Sequence, residues 1–385
     1  MSKTPKLRFP GFTDDWEQRK LGDLYKKNLE RNKDQFKADK TISIASMRFK
    51  PEGNGASESS LSTYKVLREG DIAFEGHKSK QFSFGRFVVN DIGNGIMSPR
   101  FTTLRPSQQI PIKFWKQYIN YEPIMKYPIV NSTKLGTMMN ELVMNDFLKQ
   151  TILVPSIAEQ EIIGSFFKQL DNLITLHQRK LSDVKKLKAG MLQKMFPKNG
   201  ETIPEVRFPE FTNAWEQRKL GDLADFFDEK RIPIDSGLRT IGKYPYYGAT
   251  GVIDYVHNYI FEGEYVLLAE DGANITMRNS PLTYLTQGKF WLNNHAHIMK
   301  MKNGDNGFLI QLLEKQDYIK YNTGTAQPKL NAQVVKKMVL PFTSIDEQEK
   351  IGALFEQLDD LITLHQRKLE HLQQQKKALL QQMFI

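Results

Sequence analysis

Cysteine is absent from this chain of 385 residues. Without thiols the protein can have no disulfide, no cysteine nucleophile, no thiolate zinc site and no iron–sulfur cluster. Long apolar runs are missing too, because no stretch approaches the roughly 18 consecutive apolar residues of a membrane-spanning helix. The opening residues 1–12 lack the apolar segment of a signal peptide. We therefore expect a soluble protein of the reducing cytoplasm, with no membrane partner.

Catalytic and cofactor-binding signatures are also missing. The sequence has no G-x-x-x-x-G-K-[ST] phosphate loop, no G-x-G-x-x-G dinucleotide fingerprint and no G-x-S-x-G nucleophile elbow. It lacks the Asn-Pro-Pro-aromatic tetrapeptide of amino-methyltransferases. We expect a chain that has no catalytic residues and that binds no cofactor or metal of its own.

Positive charge is in excess. Lys and Arg number 54 against 44 Asp and Glu, which gives a net charge of +10. Such a balance is typical of proteins that bind polyanions, nucleic acid above all, although many basic proteins bind none. The hydrophobic content of 40% is that of a folded protein, and the length suggests two or three domains.

The chain contains an internal duplication. Residues 8–24 read RFPGFTDDWEQRKLGDL and residues 207–223 read RFPEFTNAWEQRKLGDL, so that 14 of 17 positions match. Residues 156–181 and 344–369 match at 20 of 26 positions, at an offset of 188. Chance does not produce two such matches in one chain, and the sequence therefore predicts two modules of one fold.

The residues between the repeated motifs share little. This pattern predicts that two variable domains alternate with two conserved helices. The first domain covers 1–155 and is followed by a conserved helix over 156–200, and the second domain covers 201–343 and is followed by a conserved helix over 344–385. Different bodies in one frame suggest two modules that recognise different targets.

Each conserved closing segment is predicted to be one long amphipathic helix. Ser156 with Glu159 fits a capping box, which the second copy repeats. Apolar residues then recur every three or four positions, as in the seam of a helix pair. We expect helices over 158–196 and 346–384 that pair as an antiparallel coiled coil. The predicted seam residues are Ile163, Phe167, Leu170, Ile174, His177, Leu181, Ile351, Phe355, Leu358, Ile362, His365 and Leu369.

The two seam histidines, His177 and His365, lie near the midpoints of these helices. They could act as a proton switch or as metal ligands, or they could be hydrogen-bonded polar residues that fix the register, which we favour. Full overlap of an antiparallel pair predicts that the two imidazoles meet.

The variable bodies alternate short β-branched or aromatic runs with Gly, Asn and Pro turns, a pattern typical of mixed, strand-rich α/β or α+β domains. Phe308–Tyr321 is the clearest helix candidate. The predicted strands are Thr41–Ser46, Asp71–Phe74, Gly85–Val89, Gly251–Val256, Tyr265–Ala269 and His297–Met301.

A loop-like segment of the first body, Gly76–Arg86, carries cations and aromatic residues and no acid. Cations can hold phosphates, and Arg or Gln can read base edges. The alternative is a solvated loop. The candidate DNA contacts of this body are Lys78, Lys80, Gln81 and Arg86, with Lys134 from a second segment, 131–134.

Four polar, glycine-containing segments of the second body carry amides and cations suited to base edges. They are 243–250, 270–278, 293–297 and 324–330. His295 and His297 could share a metal on one strand face, but no third ligand is evident, and structural histidines are favoured. The candidate DNA contacts of this body are Lys243, Tyr247, Asn274, Arg278, Asn293, Gln327 and Lys329.

Taken together, these motifs resemble the specificity subunit of a type I restriction–modification system. Each body is opened by W-E-Q-R-K-L-G-D-L and closed by S-I-x-E-Q-E…L-I-T-L-H-Q-R-K-L. The resemblance covers essentially the whole chain. The second body's P-Y-Y-G-A-T-G, E-D-G-A-N, N-N-H-A-H and A-Q-P-K-L also resemble target-recognition segments of that family, whereas the first body lacks them.

This resemblance implies a function in DNA recognition. Each body would be a target recognition domain that reads one half of a bipartite, asymmetric site in double-stranded DNA, and the long helices would separate the two domains. Two methyltransferase subunits would dock on the chain and methylate adenine with S-adenosylmethionine. Restriction subunits that use ATP and Mg would complete an endonuclease. The alternatives are a fused methyltransferase or nuclease with unrecognised motifs, and a coiled-coil scaffold without a DNA role.

Overall fold

Two compact units make up the fold. The computed structural model describes residues 4–33, 35–80, 82–136, 139–198 and 200–384. The first unit comprises Met1–His177 and Lys368–Ile385, and the second comprises Gln178–Arg367. This division cuts both conserved closing segments, which the sequence treats as segments of their own.

The first body consists of short strands with five helices in its described residues. Its strands are β1 (Glu17–Lys20), β2 (Tyr25–Lys27), β3 (Thr41–Ser43), β4 (Arg48–Lys50), β5 (Lys65–Leu67), β6 (Ile72–Glu75), β7 (Arg86–Val89), β8 (Gly95–Met97), β9 (Thr102–Pro106), β10 (Thr133–Lys134), β11 (Glu141–Leu142) and β12 (Thr151–Val154). Its helices are α1 (Leu21–Leu24), α2 (Glu58–Leu61), α3 (Ile112–Tyr118), α4 (Glu122–Val130) and α5 (Met144–Lys149).

Two four-stranded sheets form the first body. One has the order β2-β9-β6-β7, with every neighbouring pair antiparallel. The other has the order β4-β3-β8-β5, in which β3 runs parallel to β8. Two small ladders, β1-β12 and β10-β11, complete it.

The first long helix, α6 (Ile157–Lys194), leads into the second body, and the second, α11 (Ile345–Met383), follows it. The strands between them are β13 (Glu216–Lys219), β14 (Ala224–Phe226), β15 (Ile241–Gly248), β16 (Gly251–Val256), β17 (Phe261–Glu262), β18 (Tyr265–Ala269), β19 (Thr283–Thr286), β20 (Lys289–Leu292), β21 (Ala296–Met301) and β22 (Val339–Phe342). The helices between them are α7 (Leu220–Leu223), α8 (Asn274–Met277), α9 (Asn306–Glu314) and α10 (Ala332–Lys336).

The second body has the same topology as the first, although the two sequences share little. Its sheets have the orders β14-β21-β18-β19 and β16-β15-β20-β17, and β15 runs parallel to β20. Each strand from β2 to β9 thus has its counterpart twelve strands later. Gly70 and Gly263, which precede the equivalent strands β6 and β18, both have positive φ values (+91° and +124°), a conformation that favours glycine. The prediction of two modules of one fold is confirmed.

The repeated opening motif is retained because it forms a ladder with the strand that precedes each long helix. β1 pairs antiparallel with β12, and β13 pairs antiparallel with β22. Trp16 and Trp215, one residue before these strands, are both buried. The motif E-Q-R-K therefore forms a strand ladder in both copies, with its side chains largely exposed.

A buried ion pair joins the opening motif to the first turn of each long helix. Arg8 donates to both carboxylate oxygens of Glu159 at 2.9 and 2.7 Å, and Arg207 donates to Glu347 at 2.7 Å twice. Of the two hydrogen bonds of the expected capping box at Ser156, only one forms. Ser156 Oγ accepts from the Glu159 N–H at 3.3 Å, but the Glu159 carboxylate binds Arg8 instead of turning back to the N-cap.

The two long helices begin and end within two residues of the predicted limits, and they pair antiparallel inside each unit. In the first unit, Phe167 of α6 packs in one core with Phe384, which follows α11. In the second, Phe355 of α11 packs with Phe196, which follows α6. Lys376 binds Asp171 and Lys188 binds Asp359, each at 2.6 Å. Asp171 and Asp359, like Lys188 and Lys376, are related by the 188-residue offset of the repeat.

The predicted seam is buried where the helices meet the bodies. Ile163, Phe167, Leu170, Ile351, Phe355 and Leu358 are buried, whereas Ile174, His177, Leu181, Ile362, His365 and Leu369 are half-buried. The meeting of His177 with His365 stays a prediction.

Five of the six predicted strands are confirmed to within one residue, and Gly251–Val256 and Tyr265–Ala269 match at both ends. The predicted strand Thr41–Ser46 is too long, because β3 ends at Ser43 and residues 44–47 form a turn. The predicted helix Phe308–Tyr321 is wrong in extent, because α9 ends at Glu314 and a 3₁₀ turn covers Ile319–Tyr321. The Gln316 N–H donates to the carbonyl of Leu313 and tightens the last turn of the helix. In the described part of the chain, no helix has the length and apolarity needed to cross a membrane.

Candidate nucleic-acid interface

The two candidate segments of the first body lie side by side. The Asn140 N–H donates to the Gly76 carbonyl at 2.9 Å, and its side chain donates to the Ser83 carbonyl at 3.4 Å. A Cβ on Gly76 would lie 2.0 Å from the Asn140 carbonyl oxygen, so this approach requires glycine. The structure thus brings the loop after β6 next to the hairpin β10-β11. Lys78, Lys80 and Lys134 are exposed there, and Gln81 lies outside the described residues.

Arg86 has a different role from the exposed lysines. Its Nε donates to Glu75 at 2.7 Å, its Nη2 donates to the Ala45 carbonyl at 3.0 Å, and its guanidinium lies 5.4 Å from the centre of the Phe82 ring. The acid that is missing from Gly76–Arg86 is supplied by the residue just before it. This arrangement gives Arg86 a role in holding the loop, and its contact with DNA stays a prediction.

Backbone hydrogen bonds bring the four candidate segments of the second body together. Their carbonyl and N–H groups pair directly, so the segments form one continuous surface of loops. The donor–acceptor pairs are Asn293 N to Tyr247 O (3.1 Å), Glu270 N to His295 O (2.9 Å), Gly272 N to Pro328 O (3.0 Å) and Leu330 N to Glu270 O (2.7 Å).

A buried histidine stabilises this convergence. His297 is 1% exposed, and its Nδ1 lies 2.7 Å from Asp228 while its Nε2 lies 2.8 Å from the Leu330 carbonyl oxygen. Because both ring nitrogens are engaged, His297 is a structural histidine. Burial by itself raises the pKa of Asp228, but the hydrogen bond and charge of His297, the Ile298 N–H and the charge of Arg231 together leave that pKa below its usual value.

Three of the predicted base readers instead hold the loops. Asn274 donates to the Ser280 carbonyl at 2.9 Å and accepts from the Ser280 N–H at 3.0 Å. Arg278 forms an ion pair with Glu314 at 2.9 Å. Asn293 is buried and accepts from the His295 N–H at 2.8 Å. Short amide side chains often bond to nearby backbone in this way. All three residues hold loops, and their contacts with DNA stay predictions.

The other candidates remain accessible. Lys243, Gln327 and Lys329 are exposed, Lys329 lies 3.3 Å from Glu270, and Tyr247 is half-buried, which raises its pKa. His295 is exposed as well, and Asp271 orients its Nδ1 at 2.8 Å.

The sequence analysis favoured a structural role for His295 over a metal ligand and did not count it among the DNA contacts, although its place in N-N-H-A-H could have indicated a contact residue. Among the described residues, no group of three His, Cys, Asp or Glu side chains is placed to hold a metal ion.

This chain is similar to known proteins in sequence and in fold. The family model described as the type I restriction modification DNA specificity domain matches twice, over residues 13–186 and 212–374. A type I restriction enzyme specificity subunit of Methanocaldococcus jannaschii is 22% identical over 97% of this chain and 92% of its own length. One of Haemophilus influenzae is 34% identical over 43% of this chain and 42% of its own length.

A solved structure has the same architecture. The crystal structure of a type I restriction–modification S subunit from M. genitalium aligns with a TM-score of 0.67 at 16% identity and covers 99% of both chains. The two matches to the family model define a DNA-specificity protein. The chain belongs to the type I restriction–modification specificity subunits, which are non-catalytic components of their complexes.

Proposed function

We propose that this chain recognises a bipartite, asymmetric site in double-stranded DNA and acts as the scaffold for modification and restriction subunits. The observation that carries the proposal is the shared topology of the two bodies combined with different loops. One topology places the loops of both bodies in the same relation to their sheets. Different side chains on those loops give each body a different base preference, and two unlike half-sites follow.

The scaffolding role is supported by surfaces that occur twice. In each unit a groove is lined by residues of both repeated motifs, and the matching residues are Arg8, Phe12, Arg19, Ser156 and Gln160 in the first and Arg207, Phe211, Arg218, Ser344 and Gln348 in the second. The long helices also expose equivalent leucines, Leu173 with Leu176 and Leu361 with Leu364. Two equal surfaces suit two copies of one partner, and the modification subunits are that partner in this proposal.

In this scheme the partners supply all the chemistry. S-adenosylmethionine binds the modification subunits, and ATP and Mg bind the restriction subunits, so that this chain needs no cofactor. The assembled system acts on DNA in the cytoplasm.

Mapping of methylated adenines tests the proposal. Genomic DNA from cells that express the chain with its modification subunits is sequenced by a single-molecule method that detects methylation. We expect one motif of two unlike half-sites that flank an unread spacer, and its disappearance when the chain is deleted. A continuous or perfectly palindromic motif would contradict the proposal.

The salt dependence of binding tests the phosphate contacts. Replacement of Lys78 or Lys80 with Ala should lower the slope of log affinity against log salt by about one unit, with sequence preference unchanged. Lys26, an exposed lysine on β2 at the opposite edge of that sheet from β7, is the matched control. If Lys78→Ala and Lys80→Ala had the same slope as Lys26→Ala and the wild type, the loop after β6 would not contact DNA phosphates.

A further inference from the structure

The first body lacks the family-like segments of the second, so its recognition surface has to be located from topology. The segments of the second body lie at the β15–β16 turn, in the loop after β18, in the β20–β21 loop and before α10. Their counterparts in the first body are the β3–β4 turn, the loop after β6, the β8–β9 loop and the residues before α5. Two of these four counterparts, the β3–β4 turn and the β8–β9 loop, carry no signal in the sequence.

These two unexpected loops line one polar cleft. With the start of the loop after β6 they enclose a volume of about 370 Å³. The cationic and imidazole side chains on its wall are Lys50, which ends β4, His77 in the loop after β6, and Arg100 in the β8–β9 loop. Glu75 also lines the cleft, but it is engaged by Arg86 at 2.7 Å. The cleft therefore presents uncompensated positive charge.

Arg100 differs from Arg86 in what it contacts. Its guanidinium lies over the ring of Phe101, 4.8 Å from the ring centre. It is exposed, and it forms no ion pair with the carboxylates that the structure describes. Stacking on an aromatic ring holds the guanidinium plane while all of its N–H donors stay available. A planar, fixed pair of donors is the group that recognises the O6 and N7 acceptors of guanine.

We propose that this cleft is the DNA-reading site of the first body and that Arg100 in it recognises a guanine. The inference rests on the proposed function and names a base class for one half-site. In the second body the equivalent loop carries His295 held by Asp271. The two half-sites are therefore read with different chemistry at the same position of the fold.

The test compares variants of the full chain purified with its modification subunits. Each complex selects duplexes from a random library, and the bound DNA is sequenced. Arg100→Ala should relax the preference for guanine at one position of one half-site by roughly 5- to 150-fold and leave the other half-site intact. His295→Ala should alter only the other half-site. Arg100→Lys keeps the charge but loses the planar guanidinium fork, and it should relax the same position to a smaller extent than Arg100→Ala.

Controls separate this inference from the proposed function. Lys26→Ala should select the wild-type motif, and equal melting temperatures show that the variants fold. If the wild-type complex selects no bipartite motif, the proposed function fails. If it does, but Arg100→Ala selects the same motif or loses affinity without a change in preference, the guanine contact is wrong and the proposed function stands.

Discussion

At the scale of single residues, the neighbours of a cation decide what it does. Arg86 and Arg278 have the residue type expected of DNA contacts, but Glu75 and Glu314 engage them at 2.7 and 2.9 Å. Lys78 and Lys80 remain exposed. Sequence reasoning could list the cations of a loop but could not see the acid that a different element brings against them, because ion pairs between elements form only in the folded chain.

Asp228 provides a prediction at this scale. Asp228→Asn removes the negative partner of the buried His297 and should lower the free energy of unfolding by about 2 kcal/mol, since hydrogen bonds to charged groups contribute about 1.5–3 kcal/mol. Because the pKa of Asp228 is lowered in the fold, its stabilising effect is complete above the ordinary pKa of about 4 and is lost as the pH falls through the lowered value.

Urea unfolding of both proteins between pH 7 and pH 2 measures this effect. The difference between wild type and Asp228→Asn should shrink in acid. Asp225→Asn is the matched control, because that exposed carboxylate lies 3.9 Å from Lys302 and should contribute little. A difference that does not depend on pH would mean that the charge of Asp228 is not what stabilises the site.

At the scale of elements, each long helix is shaped by what packs on it. Gly164 of α6 and Gly352 of α11 are equivalent glycines, and a Cβ on them would lie 2.5 Å from Phe114 N and 1.9 Å from an Asp305 carboxylate oxygen. The heptad-like pattern predicted the helices and their seam. It could not show why two helix-weakening glycines are kept, because the reason is the close approach of α3 and α9.

The glycines can be tested against each other. Gly352→Ala should lower the free energy of unfolding by about 1–3 kcal/mol, because the new methyl group displaces Asp305, which caps α9 by accepting from the Phe308 N–H at 2.6 Å. Gly190→Ala in α6 meets no atom within 4 Å and should raise it by about 0.5–1 kcal/mol through helix propensity alone. Thermal unfolding of the two variants measures both signs, and a stabilised Gly352→Ala would refute the clash.

At the scale of the whole molecule, each unit is closed by the helix end of the other repeat. Phe384 lies against Phe114, Tyr118 and Phe167 of the first unit, with ring centres 5.9, 5.2 and 5.7 Å away. Phe196 lies in the same way against Trp215 in the second, at 5.8 Å. The first body therefore depends on a chain segment far from it in sequence, whereas the second body is closed by the residue just before it.

The packing of Phe384 on the first unit predicts a long-range effect on stability. Phe384→Ala should destabilise the first unit by about 3–5 kcal/mol through the cavity it leaves, although the residue lies some 200 positions after that body. Hydrogen exchange resolved by residue should show faster exchange in β6 and β9 of the first body. Leu187→Ala, at an exposed apolar position of α6, should leave both units unchanged. If hydrogen exchange became faster only at the end of α11, the first body would not depend on Phe384 and the prediction would be wrong.

The sequence by itself determined the duplication, the two long helices with their seam, the strand-rich character of the bodies and the family resemblance. These follow from local periodicity and from repeated motifs, which are properties of residues close together in the chain. Only the tertiary structure decided that the two divergent bodies share one topology, that Arg86, Asn274, Arg278 and Asn293 hold loops, and that a cleft with Arg100 exists. The shared topology, the cleft and the pair of Arg278 with Glu314 depend on residues far apart in sequence. The contacts of Arg86 with Glu75, of Asn274 and of Asn293 span only 11, 6 and 2 positions, but they too depend on a loop geometry that exists only in the folded chain.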